Sequence, residues 1–384
     1  MMNLSSIIVK LSYLYIPFFA FFYKYFVGNQ YTKYLFDLIF LCSVFFVFLL
    51  LLSRGRASRS IPFISVFFIG GGLLLSITIN HFYSLLFYNG QSGFYFAPFV
   101  MALKLPLYFL ICSILCLFTK PIHLSKFVIY ARFFSICIIL DFFIRWALNG
   151  YIVRPSILSE TNYDSLMVLV GLCALFNIKK SRSFIWDYLL FGFVMLLTQS
   201  KTSIGCFALM SLYQFSDRRY FRYMFPLLIF FTISAPVIIS RLSVLPSLDK
   251  LDRFLMWFSY FELLKDSSLY NILFGFAPGY YLKLEDKYLW FFIEHLSERA
   301  GAVGLHSFNF HSMWLRIALD YGLFFLAFII LVLLSSFYKY EKLRVFILMV
   351  FLQGFTMGVF FLSVNVFVLF FYVKSQLTNE IERF

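Results

Sequence analysis

Two of the chain's five histidines fall in one stretch, HSFNFHSMWLRIALDYG, where a polar segment turns into an apolar run. A neutral imidazole near pH 7 can take a proton from a hydroxyl, which is the work of a general base. His311 has the setting for it. The apolar periodicity starts directly after it, which puts it in the first turn of a helix, where the helix dipole disfavours the imidazolium. Ser312 follows, and Gly322 comes about three turns later, on the same face of a continuous helix, where it would let a neighbouring helix approach. The competing reading is an interfacial histidine bonded to the polar segment before it. The same spacing from His306 reaches Ile317 rather than a glycine. His306, His81, His123 and His295 read as structural or solvated. No histidine pair has zinc-ligand spacing, and nothing resembles HExxH.

Three cations could hold an anion: Arg154 in YIVRPSILSETNYD, Lys201 in TQSKTS, and Arg253 in DKLDRFLMW. A guanidinium holds phosphate oxygens in bidentate fashion, and an ammonium acts as a point charge. Each has a structural alternative. Arg253 could pair with Asp249, Asp252 or Glu262, and Arg154 with Glu160. Lys201 could simply terminate a helix. Arg316 and Asp320, four apart, read as an intrahelical pair. Lys104, Arg132, Asp141 and Arg145 stand inside apolar runs, where charge is expensive, although Lys104 and Arg145 could snorkel to an interface.

The elements that must position these residues are membrane helices. Of 384 residues 62% are hydrophobic and only 13% charged, about half the charge of a soluble domain. The fold class is an all-α polytopic integral membrane protein. Spans are expected near 7–27, 34–52, 61–79, 97–118, 127–148, 163–178, 184–199, 203–216, 223–241 and 311–336. A final run, 345–373, is too long for one span, and Gly354 and Gly358 mark a turn within it, for eleven or twelve spans in all. Domains follow: transmembrane helices over 1–240, a large loop over 241–310, and C-terminal spans with a short tail over 311–384. The loop carries amphipathic pieces, DRFLMWFSYFELLKD and YLWFFIEHLSERA.

Cationic clusters fill alternate loops: Arg54, Arg56 and Arg59; Lys120 and Lys126; Lys179, Lys180 and Arg182; Arg218, Arg219 and Arg222; Lys339, Lys342 and Arg344. The positive-inside rule makes that side cytoplasmic, so the net charge of +14 is topological and calls for no nucleic-acid partner. His311, Arg154, Lys201 and Arg253 then share the outer side. The six cysteines all lie in apolar segments and form no CxxC pair. No Walker A loop, GxGxxG on a strand or nucleotide-sugar domain is present, so any donor arrives already activated and membrane-borne.

At His311 the chain resembles the O-antigen ligase and polymerase family, membrane glycosyltransferases of the GT-C class with a large periplasmic loop late in the chain. The ligase pattern is His, then Asn, Ser or Gln, nine residues, Gly, two residues, then Gly, Thr or Tyr. His311, Ser312 and Gly322 match it, and Phe325 departs at the last position. DRFLMW resembles the segment opening the large loop, placing Arg253 and Trp257. LTQSKTSIG resembles a serine–arginine segment, with Lys201 in place of the arginine. RPSILSETNY resembles an arginine–asparagine loop, placing Arg154 and Asn162, without the proline that usually precedes the asparagine.

The resemblance implies a fold and a reaction. A glycan on undecaprenyl pyrophosphate is attacked at its anomeric carbon by an acceptor sugar hydroxyl at the periplasmic face of the inner membrane. His311 takes the proton, and Arg154, Lys201 and Arg253 hold the pyrophosphate. The transfer inverts and needs no metal or other cofactor. A chain-length regulator and a flippase are the implied protein partners. The short chain, heavy in Phe and Tyr and with departures from the ligase pattern, resembles a polymerase more than a ligase. A lipid-linked oligosaccharide flippase is the alternative from another class, and a division or spore-envelope shape protein a further one.

Overall fold

The computed structural model describes residues 4–26, 61–87, 94–158, 161–178, 183–215, 252–284, 304–355, 359–360 and 362–381, with isolated positions between 42 and 47. Among these residues the chain is all helical, without strands. Leu4–Lys10 runs through a π-helical turn, Leu11–Tyr15, into Ile16–Phe26, and the three form α1. Then come α2 (Ile61–Phe87), α3 (Phe96–Phe118), α4 (Leu124–Asn149), α5 (Thr161–Asn177), α6 (Phe184–Thr198) and α7 (Lys201–Phe215). The insert contributes α8 (Asp252–Lys265) and α9 (Leu269–Phe274). The chain closes with α10 (Met313–Lys339), α11 (Arg344–Gly354) and α12 (Ser363–Ile381).

Among the described residues five stretches are long and apolar enough to cross a membrane: Leu4–Tyr25, Phe63–Ser84, Phe96–Phe118, Leu124–Asn149 and Met313–Lys339. Asn162–Asn177 and Phe184–Thr198 are shorter apolar helices. The protein is a multi-pass membrane protein. The expected spans near 34–52 and 223–241, and the piece YLWFFIEHLSERA, lie outside the described residues, apart from the isolated positions before 48.

The final run divides as its length requires. Helix α11 stops at Gly354, and Gly358 lies outside the described residues. The last helix does not end near 373, however, but continues to Ile381. Its polar end is held inside the bundle. Lys374 Nζ donates to the carbonyls of Cys116 and Thr119 at the C-terminus of α3, where a cation meets the negative end of the helix dipole. Ser375 Oγ accepts from Ile122 N at 3.0 Å.

Two broken backbone ladders shape the region around α10. Pro106 inside α3 has no N–H, so the carbonyl four residues earlier loses its helical donor. That carbonyl, Ala102 O, accepts from Tyr321 Oη at 2.8 Å. The second break is at Gly322 itself, which adopts φ 82° and ψ 172° and divides α10 in two. Leu319 O, deprived of its donor at 323, accepts instead from Phe276 N at 2.7 Å. Met313–Lys339 therefore has the length of a span but is not one straight helix. Its first half is buried throughout.

Arg132, Asp141 and Arg145 are paired within the bundle. Arg132 holds Asp187 in bidentate fashion and also donates to Ser183 Oγ at 2.6 Å. Asp141 accepts from Lys24 at 2.5 Å and from Tyr25 Oη at 2.7 Å, and lies 3.0 Å from Arg145. Arg145 thus pairs within the bundle rather than merely snorkelling. Removing one member of a buried pair costs about 3–5 kcal/mol, because its partner is left uncompensated.

The helix ends sort to two sides, and the sorting matches the alternation of cationic loops. Ser5 meets Lys120 at one side (Ser5 Oγ to Lys120 O, 2.6 Å), and Asn177 meets Lys342 there (3.2 Å). Lys24, Asp141 and Ser156 meet at the other, which also carries the insert. Reporter fusions after Ser58, Ser181 and Tyr340 should therefore all read cytoplasmic, and fusions within 260–300 should read the opposite compartment. A fusion at Ser181 reading with the insert would break the register.

Candidate functional site

The polar groups at the insert side are organised by three helix starts. Helix α10 starts at Ser312, whose side chain accepts from Leu315 N at 3.5 Å and donates to Gly354 O at 3.0 Å. Serine is a favoured N-cap because its oxygen meets an N–H that has no helical partner. His311 is consequently not in the first turn, as expected from sequence, but precedes the cap residue. It is half-buried.

Gly354, the last residue of α11, makes this junction close. A Cβ there would stand 2.8 Å from Met313 Cε and from Trp314 Cε2 and Nε1. Trp314 Nε1 donates to Phe351 O at 3.1 Å. Trp257 of α8 lies against Phe355, with ring centroids 5.8 Å apart. Tyr260, one turn along α8, is buried beside Phe310 and Leu315. Its hydroxyl has no hydrogen-bond partner among the described residues, and burial pushes its pKa up to about 12, so it stays a neutral phenol.

From Gly354 the polar contacts run on through its neighbour. Gln353 Nε2 donates to Ser203 Oγ at 3.3 Å, and Ser203 Oγ donates to Ser200 Oγ at 2.9 Å. Ser200 Oγ donates to Asn162 Oδ1 at 2.7 Å, and Ser165 bonds Ser203 through their hydroxyls. The starts of α5, α7 and α10 and the end of α11 are thereby joined in one line. Asn162 and Ser312, remote in sequence, belong to the same polar chain. Lys201, between Ser200 and Ser203, opens α7 rather than terminating a helix, and its side chain is exposed.

The loop carrying Arg154 is held from beneath by buried carboxylates. Ser156 N donates to Asp141 Oδ2 at 2.8 Å, and Ile157 N and Leu158 N donate to the two oxygens of Asp164 at 2.6 and 3.0 Å. Arg145 donates to the carbonyls of Arg154 and Ser156, both at 3.1 Å, and Lys24 to Ser156 O at 2.9 Å. The backbone is pinned and the Arg154 side chain is exposed. Glu160 lies outside the described residues. Arg253 is in the first turn of α8, and its side chain lies outside them too. Glu262 pairs with Lys265 at 2.5 Å.

Gly322 is separate from this group. It does not share a helical face with His311, because φ 82° interrupts the helix and His311 stands outside it. A Cβ at Gly322 would lie 2.1 Å from Leu273 O, so the glycine admits the backbone of the insert rather than a spanning helix. Arg316 and Asp320 are buried in the half-helix above it.

His306 is structural. It is 1% exposed, with its ring stacked on Phe308 at 5.6 Å and edge-on to Tyr95 at 5.5 Å. Its N–H donates to Asn309 Oδ1 at 2.9 Å, and Nδ1 lies 3.2 Å from Tyr280 O. His81 lies among aromatic rings, 5.1 Å from those of Phe94 and Phe99. His123 precedes α4, and His295 is outside the described residues. Among the described residues, no group of three or more His, Cys, Asp or Glu side chains could hold a metal.

Lys24, Asp164, Ser165 and Gln353 were not singled out in the sequence, and Gly354 read only as a turn. Gln353 had a signal: it is the one amide in the apolar run VFILMVFLQG. Ser200 and Ser203 flank Lys201 and were legible only as its neighbours. Comparison with family models, with curated proteins and with solved structures finds no match to this chain.

Proposed function

We propose that this chain is a membrane glycosyltransferase of the O-antigen polymerase type, joining oligosaccharide repeats carried on undecaprenyl pyrophosphate. One observation carries the reading. Asn162 of RPSILSETNY, Ser200 and Ser203 of LTQSKTSIG, and Ser312 beside His311, from three stretches singled out separately in the sequence, are joined through the line from Asn162 to Gly354. A base and anion-holding cations are useful only when held near one another.

In this reading the acceptor hydroxyl oxygen bonds to the anomeric carbon of the growing glycan as the bond from that carbon to the pyrophosphate oxygen breaks. His311 accepts the hydroxyl proton. The pyrophosphate leaves on its lipid, and attack from the opposite face inverts the centre. Arg154, Lys201 and Arg253 meet the charge that develops on the leaving group. The pinned backbone below Arg154 and the helix start at Lys201 limit how far either cation can move away. Asn162, Ser312 and Trp257 support the geometry.

A second reading, a flippase for lipid-linked oligosaccharides, draws on the break in α10. Interrupted helices with buried charges recur at transport sites, and here Arg316 and Asp320 precede the break at Gly322. One experiment separates the readings. Deletion of the gene should collapse the surface glycan from a ladder to lipid A–core bearing a single repeat, because a separate ligase still works. Bare core with polymer left on undecaprenyl pyrophosphate would identify a ligase. Bare core with single repeats trapped on the cytoplasmic leaflet would identify the flippase. In the complemented strain Lys201→Arg should restore the ladder and Lys201→Ala should not, since the leaving group needs charge. Full activity of Arg253→Ala would remove that residue from the mechanism.

A further inference from the structure

We infer that α9 and its flanking turn, residues 269–276, form a membrane-embedded element that sits in the leaflet on the insert side, with the acyl chains of membrane lipid as its partner. It is not part of an aqueous loop. Two spanning helices independently fix its depth.

The first is α2. Asn80 Nδ2 donates to Phe274 O at 2.6 Å, and Asn80 Oδ1 accepts from Tyr270 Oη at 2.9 Å. Tyr83 stacks on Tyr270 with centroids 4.3 Å apart. Helix α2 is 27 residues long, about 40 Å at 1.5 Å per residue, and hydrocarbon is about 30 Å thick. Centred, the helix overhangs by about 5 Å at each end. Asn80 lies about 10 Å from the end at Phe87, so it stands about 5 Å inside the hydrocarbon boundary. An amphipathic interfacial helix buries its apolar face to a comparable depth.

The second is α10. Phe276 N bonds Leu319 O, and each of Gly275 and Gly322 lies close against the backbone of the other segment. A Cβ at Gly275 would be 2.7 Å from Asp320 O, and one at Gly322 would be 2.1 Å from Leu273 O. Leu319 and Gly322 lie about 9 and 14 Å along the helix from its start at Met313. The insert backbone thus enters the bundle below the helix end, not above it.

Backbone at this depth has to be satisfied by protein, because lipid offers no partners. Five of its groups have such partners in view. Ser268 caps α9 through Asn271 N at 3.2 Å, Gly275 N donates to Asn271 O at 2.9 Å, and Asn80 and Leu319 take the groups beyond. The outward side chains are apolar: Leu269 is 70% exposed, and Leu273 and Phe274 are exposed beside it. They continue the apolar surface of the spanning helices at the same level, Ile79 and Phe82 on α2 and Phe324 on α10. Phe274 and Phe324 are in ring contact at 6.4 Å. A water-facing loop has no reason to extend that surface.

The test uses the full chain in phosphatidylcholine–phosphatidylglycerol nanodiscs, in a Cys42→Ser background, since the other described cysteines are buried. A nitroxide is placed at Leu269→Cys, with Leu331→Cys as lipid reference and Lys283→Cys as aqueous reference. Collision with oxygen and with a water-soluble nickel chelate is then measured. The label at 269 should exclude the chelate as the label at 331 does and favour oxygen. Chelate access equal to that at 283 would overturn the proposal. Leu273→Cys on α9, another exposed apolar position, gives a second reading should the label at 269 disturb the fold, with the same two outcomes. Neither result depends on glycosyl transfer, so the functional reading stands or falls separately.

Discussion

Replacing His311 by alanine should lower transfer of lipid-linked repeats by about 10²- to 10⁴-fold, with the amount of folded protein unchanged. The residue precedes the cap of α10 and is half-buried, so its loss leaves the Ser312 cap and the Ser312–Gly354 bond in place. His306→Ala should behave in the opposite way. His306 is buried between Phe308 and Tyr95 and bonded to the insert. Its removal should cost on the order of 2 kcal/mol of stability while each surviving molecule turns over normally. Activity is therefore measured per folded molecule, with purified lipid-linked substrate, beside thermal unfolding of each variant. Loss of turnover in His306→Ala with native turnover in His311→Ala would sink the assignment of the base.

Gly322→Ala should destabilise the protein by on the order of 4 kcal/mol, the largest effect expected from a single methyl group here. Two costs add. The conformation at φ 82° and ψ 172° belongs to a region populated almost only by glycine. The new Cβ would also stand 2.1 Å from Leu273 O and 2.5 Å from Phe274 N, backbone atoms of a segment that Asn80 holds through Phe274 O. A continuous helix gives the opposite sign, because alanine in a helix interior is about 1 kcal/mol better than glycine. Gly205→Ala in α7 is the control, since its Cβ would meet nothing within 4 Å, and it should be neutral or stabilising. Thermal unfolding and the monodisperse fraction after extraction read both variants. A Gly322→Ala protein as stable as the native chain would show that α10 is unbroken.

What the sequence determined by itself follows from composition and length. Apolar runs of span length are a property of the chain alone, and so the membrane class was legible, as was the division of the final run near Gly354. The alternation of cationic loops likewise predicted the sides to which described helix ends such as those at Lys120 and Lys342 go. The sequence put the start of α10 close to where it lies, but with His311 in the first turn rather than before the Ser312 cap, and it offered Lys201 as a possible helix end where the structure has it open α7.

Only tertiary structure decided the rest. The break at Gly322 has no local signal, since a lone glycine in an apolar helix is tolerated. It exists because the insert backbone at Leu273–Phe276 docks there and supplies the N–H that Leu319 O lacks. The extension of α12 to Ile381 needed the carbonyl ends of α3 to receive Lys374. Asp141 read as an expensive charge until Lys24, 117 positions away, met it. Each of these is a polar group in an apolar setting whose partner is remote in sequence. Periodicity reports which face of a helix is apolar, and it carries no information about which distant donor completes a hydrogen bond inside the bundle.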